Sequence, residues 1–544
     1  MAETHSDNDS MKSAKRAARA RPWTGAETPL VWLLAVVIGL LTGYAVLTFR
    51  HAIGLVQWLW LGAREENIVA TKAAFSHPLV VFAAPVIGGL VVGLLLVWFA
   101  PRRRASGVAD IMEAAHLRHG VIRWRDGLAS AVITIISLGS GASAGREGPA
   151  VHMGASIASV LFRPLKQLSV ASRRVLIAAG AAAAVSASFN APIAGVIFAH
   201  EVILGHYALS AFVPTVLASV IGVIITRLHL GDFPAFILPP LDIRSYLEFP
   251  SFILLGALSG LIAVAFLRTT AVFDVRARAI PMPLWLRPAA GGVIIGLLGV
   301  FVPEILGVGY EATSRALRGH YELWFLLLLL VAKLLATAIT LASRFGGGVF
   351  SPSLFLGAMT GGIFGHVVNT LIPGLASDIS TYAVVGTAAV AGAVLGAPLS
   401  TALIVFEMTG NYRLAIALLI ATAVAAVVMQ MLAARSFFHW QLHQRGLDLT
   451  AGPHKRIMHT MKVADFMTPR EKGASRKLEP PFSERPTLQR NDSLEKALRT
   501  FSRGNYSRLA VVDSRGLLVG WADYAKALEA FNAAMIEAEH EEHR

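Results

Sequence analysis

Glu147 lies in Gly145-Arg146-Glu147-Gly148-Pro149, a polar interruption between apolar stretches. A carboxylate inside a bilayer is costly, so such a residue is read first as functional. Two other segments share the Gly/Pro character: Ala105-Ser106-Gly107-Val108 and Gly347-Gly348-Val349-Phe350-Ser351-Pro352. Pro suits the first turn of a helix, and Gly lets the backbone approach a ligand closely. Helix starts carry unpaired N–H groups and the positive end of the helix dipole. Such starts can hold a small anion without a buried lysine. The plainer alternative for each is a tight turn, and for Glu147 an ion pair with Arg146. A carboxylate at an anion-binding helix start can also occupy the anion's place, and protonation would release it. That makes Glu147 a candidate gate and proton carrier.

Such a site needs elements that bury it. Of the 544 residues, 55% are hydrophobic and only 15% charged, against about 25% charged in ordinary soluble domains. Mean hydropathy is +0.60. The net charge of +14 fits basic loops on the cytoplasmic side of a membrane; no aromatic-interleaved basic stretch points to nucleic acid. Cysteine is absent, which excludes disulfides, thiolate metal sites and a cysteine nucleophile. A basic tail (residues 1–28) precedes an apolar run from Pro29 to Phe49, long enough to span as a retained first helix. Further apolar segments lie near 79–99, 126–138, 173–200, 208–226, 252–267, 287–302, 323–342, 353–372, 381–407 and 413–434. Several are short or broken by Gly and Pro, a pattern tolerated in membranes where the backbone lines a cavity.

The chain also repeats itself. Gly180–Glu201 aligns without gaps on Gly386–Glu407, and the stretches from Gly145 and Gly348 both read G-x-x-x-P-x-x-x-x-G-A. Two pairs in the same order predict a duplicated architecture, of the kind that is often inverted in transporters.

These motifs resemble the CLC family of chloride channels and proton/chloride exchangers. Gly145–Pro149 matches its glutamate-gate motif in full, Gly348–Pro352 its G-x-F-x-P motif, and Asn190–Phe198 a further signature. The likeness covers about residues 29–436. It implies an all-α, polytopic, two-repeat and inverted helical bundle, assembled as a homodimer with one chloride pore per subunit. It implies that the hydroxyls of Ser106 and Tyr412 (in EMTGNY) and the amides of Val349 and Phe350 hold the central anion. Glu147 is the gate in this reading, and Gly145, Arg146, Gly148, Pro149, Gly348 and Pro352 support it. The Ser106 segment departs from the usual G-S-G-I-P form, and the retained serine favours chloride. Glu201 and Val202 are secondary positions. Exchangers of the family often carry two adjacent glutamates here, and Val202 in the second place favours passive, voltage-gated conduction; proton-coupled antiport is the alternative. Glu201 and its repeat mate Glu407 are read as structural.

After a linker (residues 437–459), residues 460–544 turn polar. Leu509–Val512 and Leu517–Val519 flank Asp513-Ser514-Arg515-Gly516, a hairpin signal, and Arg470–Pro486 reads as a loop. This small α+β appendage resembles a single CBS domain. Gly520, Trp521, Ala522, Asp523 and Lys526 stand where that family's nucleotide contacts differ, so adenine nucleotide is not expected. The expectation is therefore a non-enzymatic chloride transport protein of the cell membrane, with both termini cytoplasmic and the lipid bilayer as its surroundings. No cofactor is expected beyond the transported ion. A membrane-anchored ligand sensor would not need Glu147 or the duplicated broken segments. An intramembrane hydrolase would need H-E-x-x-H or G-x-S-x-G in a span; His152 has no Ser or Asp partner evident in sequence.

Overall fold

The computed structural model describes residues 27–100, 102–165, 167–232, 236, 238, 239, 241–449, 453–470, 482 and 484–543. The basic tail, apart from its last two residues, and most of the loop expected at 470–486 lie outside the described residues. The chain divides into two compact units, Trp23–Gln441 and a second that includes Leu442–Arg544.

The larger unit is helical and carries one series of elements twice. The first series is α1 (Thr28–Leu61), α2 (Val69–Phe75), α3 (Pro78–Phe99), α4 (Val108–Leu117), α5 (Trp124–Gly139), α6 (Glu147–Phe162), α7 (Val170–Phe189), α8 (Pro192–Phe198) and α9 (Leu209–Leu230). The second is α10 (Phe249–Ala279), α11 (Arg287–Phe301), α12 (Tyr310–Leu317), α13 (Leu323–Ala342), α14 (Phe350–Leu371), α15 (Ile379–Leu395), α16 (Pro398–Thr409) and α17 (Leu414–Ala433). Among the described residues, only α2 has no helical counterpart. A last short helix, α18 (Phe437–His443), follows. Among the described residues, eight helices are long and apolar enough to cross a membrane.

The first helix runs well past the apolar stretch that predicts it, because Pro29 starts it and Gly62, at φ 66°, stops it. The apolar segments near 173–200 and 381–407 are each two helices rather than one. Asn190 (φ 59°) and Gly396 (φ 69°) turn the chain left-handed, and the Ala-Pro that follows starts the next helix. Small residues let equivalent helices cross closely in each repeat. A Cβ on Gly154 would overlap the carbonyl of Gly180, and one on Gly357 the carbonyl of Gly386.

Gly145 and Gly348 exchange two backbone hydrogen bonds of 2.7 Å in an antiparallel bridge. Helices α6 and α14 both begin two residues further on. The bridge is antiparallel, so the helices leave this point in opposite senses and the repeats are inverted about it. A second reciprocal contact has the same symmetry. Glu201 accepts from the amides of Leu399 (3.1 Å) and Ser400 (2.8 Å) at the start of α16. Glu407 accepts from those of Ile193 (2.9 Å) and Ala194 (2.7 Å) at the start of α8. Each carboxylate satisfies the unpaired amides of the other repeat's helix.

The smaller unit holds a four-stranded sheet of order β1-β4-β3-β2: β1 Thr468–Pro469, β2 Leu488–Gln489, β3 Arg508–Val512 and β4 Leu518–Asp523. The β2–β3 pair is parallel and the others antiparallel. Helices Pro453–Thr460, Val463–Phe466, Leu494–Arg503 and Tyr524–His543 join it, over a core that includes Val463, Phe466, Leu488, Phe501 and Val511. The expected hairpin forms. Asp513 Oδ1 accepts from the amides of Arg515 (2.8 Å) and Leu517 (3.0 Å), and Gly516 supplies the positive φ of 76°.

Candidate anion site and gate

Glu147 is fully buried in the first turn of α6. Tyr310 donates its hydroxyl to Oε1 at 2.8 Å, and Ser351 donates to Oε2 at 2.5 Å. Oε2 also lies beside the opposite helix start. A Cβ built on Gly145 would be 2.9 Å from it and 3.0 Å from the Ser351 amide nitrogen. The carboxylate therefore sits at the positive end of α14, where first-turn amides lack intrahelical partners. The bridge between Gly145 and Gly348 fixes this geometry, and Gly148 lies against it: its Cβ would be 3.5 Å from Gly348 Cα.

The neighbouring arginine is shared between two carboxylates. Arg146 is buried and paired with Glu66, while its Nε is 3.8 Å from Glu147 Oε1. The guanidinium also lies 5.0 Å over the Tyr310 ring. Arg146 thus braces the tyrosine that donates to Glu147, and the two hydrogen-bond donors on the carboxylate are neutral hydroxyls.

Val349 and Phe350 are buried at the start of α14. The Phe350 ring packs on Phe189 at 4.9 Å and Phe198 at 6.0 Å, at the ends of α7 and α8. Pro352 falls in the same first turn. Ser106 is buried just ahead of α4, and its amide donates to Ser130 Oγ on α5 at 2.8 Å. Arg102 (2.6 Å) and Arg104 (2.5 Å) both bind Asp110 in the first turn of α4, so these cations are committed to holding that helix start.

Tyr412 is not brought to the site. It is 80% exposed, in the turn between α16 and α17, with its ring edge-on to Phe406. The π-helical segment Ala199–Leu204, which carries Glu201, packs against α4 and caps the start of α16, whereas Tyr412 follows the end of α16. The 12 residues of α16 span about 18 Å, which separates Tyr412 from the Ser106 end of the bundle. The expectation that its hydroxyl joins Ser106 is corrected accordingly. Gly396, just before α16, packs on Ser436, and the buried aromatics that follow are Phe437 and Phe438, which have no hydroxyl.

Several residues escaped the sequence reading. Ser351 lay inside a recognised motif, and Tyr310 follows Gly307-Val308-Gly309, whose two glycines have positive φ. Lys333 stands alone in an apolar run. It is fully buried, donates to the carbonyls of Ile305 and Gly307 at 3.0 Å each, and lies 5.2 Å over Phe355. It thereby shapes the segment that leads into Tyr310.

Comparison with known proteins agrees with this architecture. Residues 88–430 match the voltage gated chloride channel family. The chain is 35% identical over 415 residues to a putative chloride channel protein ClcB-like of Ralstonia nicotianae, covering 74% of this chain and 95% of that one. It is 30% identical to the H(+)/Cl(-) exchange transporter ClcA of Salmonella paratyphi B, covering 76% and 88%. A slow cyanobacterial Cl-/H+ antiporter of known structure superposes with a TM-score of 0.68 at 27% identity, covering 76% of this chain and 97% of its own. The family match, the inverted repeat and the buried glutamate of the gate motif agree: the chain is an integral membrane protein of the voltage-gated chloride channel (CLC) family.

Proposed function

We propose that the protein exchanges chloride for protons across the membrane, with Glu147 as both gate and proton carrier. The observation that carries this reading is the position of the Glu147 carboxylate at the start of α14, held by Tyr310 and Ser351. Ionised, the carboxylate fills the place that the helix dipole favours for an anion. Protonated, it loses its attraction for that place, and chloride succeeds it. One site thus takes a chloride or a carboxylate but not both, and each change of occupant moves a proton. Ser106 and the Val349 and Phe350 amides are proposed to hold chloride on its way through.

Val202 argues for passive conduction. The exchange transporter and the antiporter among the relatives support exchange instead, so the channel preference yields to the antiport alternative. A homodimer with cytoplasmic termini belongs to this proposal. In the smaller unit, Asp523 is paired with Arg508 at 3.0 Å, and Lys526 donates to Thr468 at 2.9 Å. Both polar groups are occupied, which supports a CBS-like unit that does not take adenine nucleotide. The test is flux from purified liposomes under an outward chloride gradient. Exchange predicts proton uptake against an opposing pH gradient; chloride efflux without uphill proton movement would leave the channel.

A further inference from the structure

Antiport requires a proton route to Glu147, and the position that carries a second glutamate in many exchangers is Val202. The buried polar groups of α6 supply another route. His152, Ser156 and Ser159 recur at i, i+4 and i+7, which places them on one face of the helix. Ser156 Oγ donates to the His152 carbonyl at 2.7 Å, and Ser159 Oγ accepts from the Ile122 amide at 2.8 Å. Ile122 lies two residues before α5, so the start of α5 runs beside the end of α6. A Cβ on Gly127 of α5 would lie 2.6 Å from Ser156 Oγ. Asp126, the neighbour of Gly127, is half-buried, and its Oδ1 is enclosed without a hydrogen-bond partner among the described residues. His152 is 98% buried (2% exposed), and its Nδ1 is likewise enclosed and unpartnered. The charged groups whose fields reach the imidazole are Asp110, Asp126, Arg104 and Arg102. Buried polar atoms are nearly always satisfied, by protein or by water.

We propose that His152 and Asp126 form a proton-relay site, bridged by water, that serves Glu147 from the Ser106 end of the bundle. The inference rests on the antiport reading. A proton delivered from Asp126 binds the free Nδ1 of the neutral ring, and the imidazolium releases its Nε2 proton onward. Return of the ring to its first tautomer completes the cycle, with no net change in His152. Along α6 the rise from residue 152 to residue 147 is about 7.5 Å, so the last transfer runs through water.

The test is paired chloride and proton flux in liposomes with wild type, His152→Gln and Asp126→Asn. Glutamine keeps polarity and approximate size but does not titrate. Removing a positioned acid–base group costs roughly a hundredfold or more in favourable cases, so proton flux in His152→Gln should fall at least tenfold. Chloride flux should fall less, so that the chloride-to-proton ratio rises. Asp126→Asn should shift the ratio the same way. In His152→Ala, imidazole in the bath should restore proton flux, which a structural role for the histidine does not predict. Wild-type exchange with an unchanged ratio in both polar variants overturns the relay and leaves antiport standing. A wild type that moves no protons uphill overturns both. Should His152→Gln fail to fold, Asp126→Asn at the end of the bundle decides alone: a wild-type ratio there overturns the relay.

Discussion

Glu201 and Glu407 occupy equivalent places in the two repeats and do the same thing, each capping a helix of the other half. Glu147 has no such mate. At the bridge between Gly145 and Gly348, its counterpart across the symmetry is Phe350, buried among Phe189 and Phe198. Symmetric carboxylates satisfy symmetric backbone needs. An unsymmetrical one, set at the opposite helix start, has no structural demand that its repeat partner shares. The duplication therefore marks Glu147 out: the shared carboxylates hold the bundle, and Glu147 answers no backbone need common to both halves.

The largest effect should come from the unsymmetrical carboxylate. Glu147→Gln mimics the protonated gate, so chloride flux should persist while proton coupling and pH dependence vanish in liposome assays. Retained coupling would remove Glu147 from the gate. The symmetric pair should behave differently. Glu201→Ala or Glu407→Ala uncaps a helix start and should cost about 2–3 kcal/mol. Thermal unfolding in detergent should drop by several degrees in both, with coupling intact in the protein that remains folded. Glu201 also accepts from the Ser400 hydroxyl, so its loss should be the larger; loss of coupling with normal stability in either variant would break the comparison.

Smaller effects sharpen it. Ser351→Ala removes a donor from the Glu147 carboxylate. A hydrogen bond to a charged group is worth about 1.5–3 kcal/mol, so the pH profile of chloride flux should differ measurably from wild type. An unchanged profile would mean that Ser351 does not hold the carboxylate. Tyr412→Phe should change nothing, and isothermal titration should give wild-type chloride affinity; a weakened affinity would restore that hydroxyl to the site.

Much of this was legible in the sequence. The repeat, the gate motif and the paired starts at Gly145 and Gly348 are local patterns of Gly, Pro and Glu, and such patterns survive without coordinates. What failed depended on distance along an element. Tyr412 and the Ser106 segment look alike as hydroxyls near Gly, but only the length of α16 puts them at opposite ends. The helices α4 and α12 carry too many polar residues for hydropathy to mark them. Arg146 sits next to Glu147 in sequence, yet its shorter ion pair is with Glu66, eighty residues away. Contacts formed across the repeat interface leave no local trace.

The central claim is that Glu147 lies where the anion binds. Crystals of wild type and Glu147→Gln soaked in bromide would test it directly by anomalous scattering. The account predicts bromide at the start of α14, within hydrogen-bond reach of Ser351, in the variant whose side chain has moved aside, and none there in wild type with the carboxylate in place. Bromide at that position alongside an unmoved Glu147 carboxylate, or its absence from the variant, would contradict it.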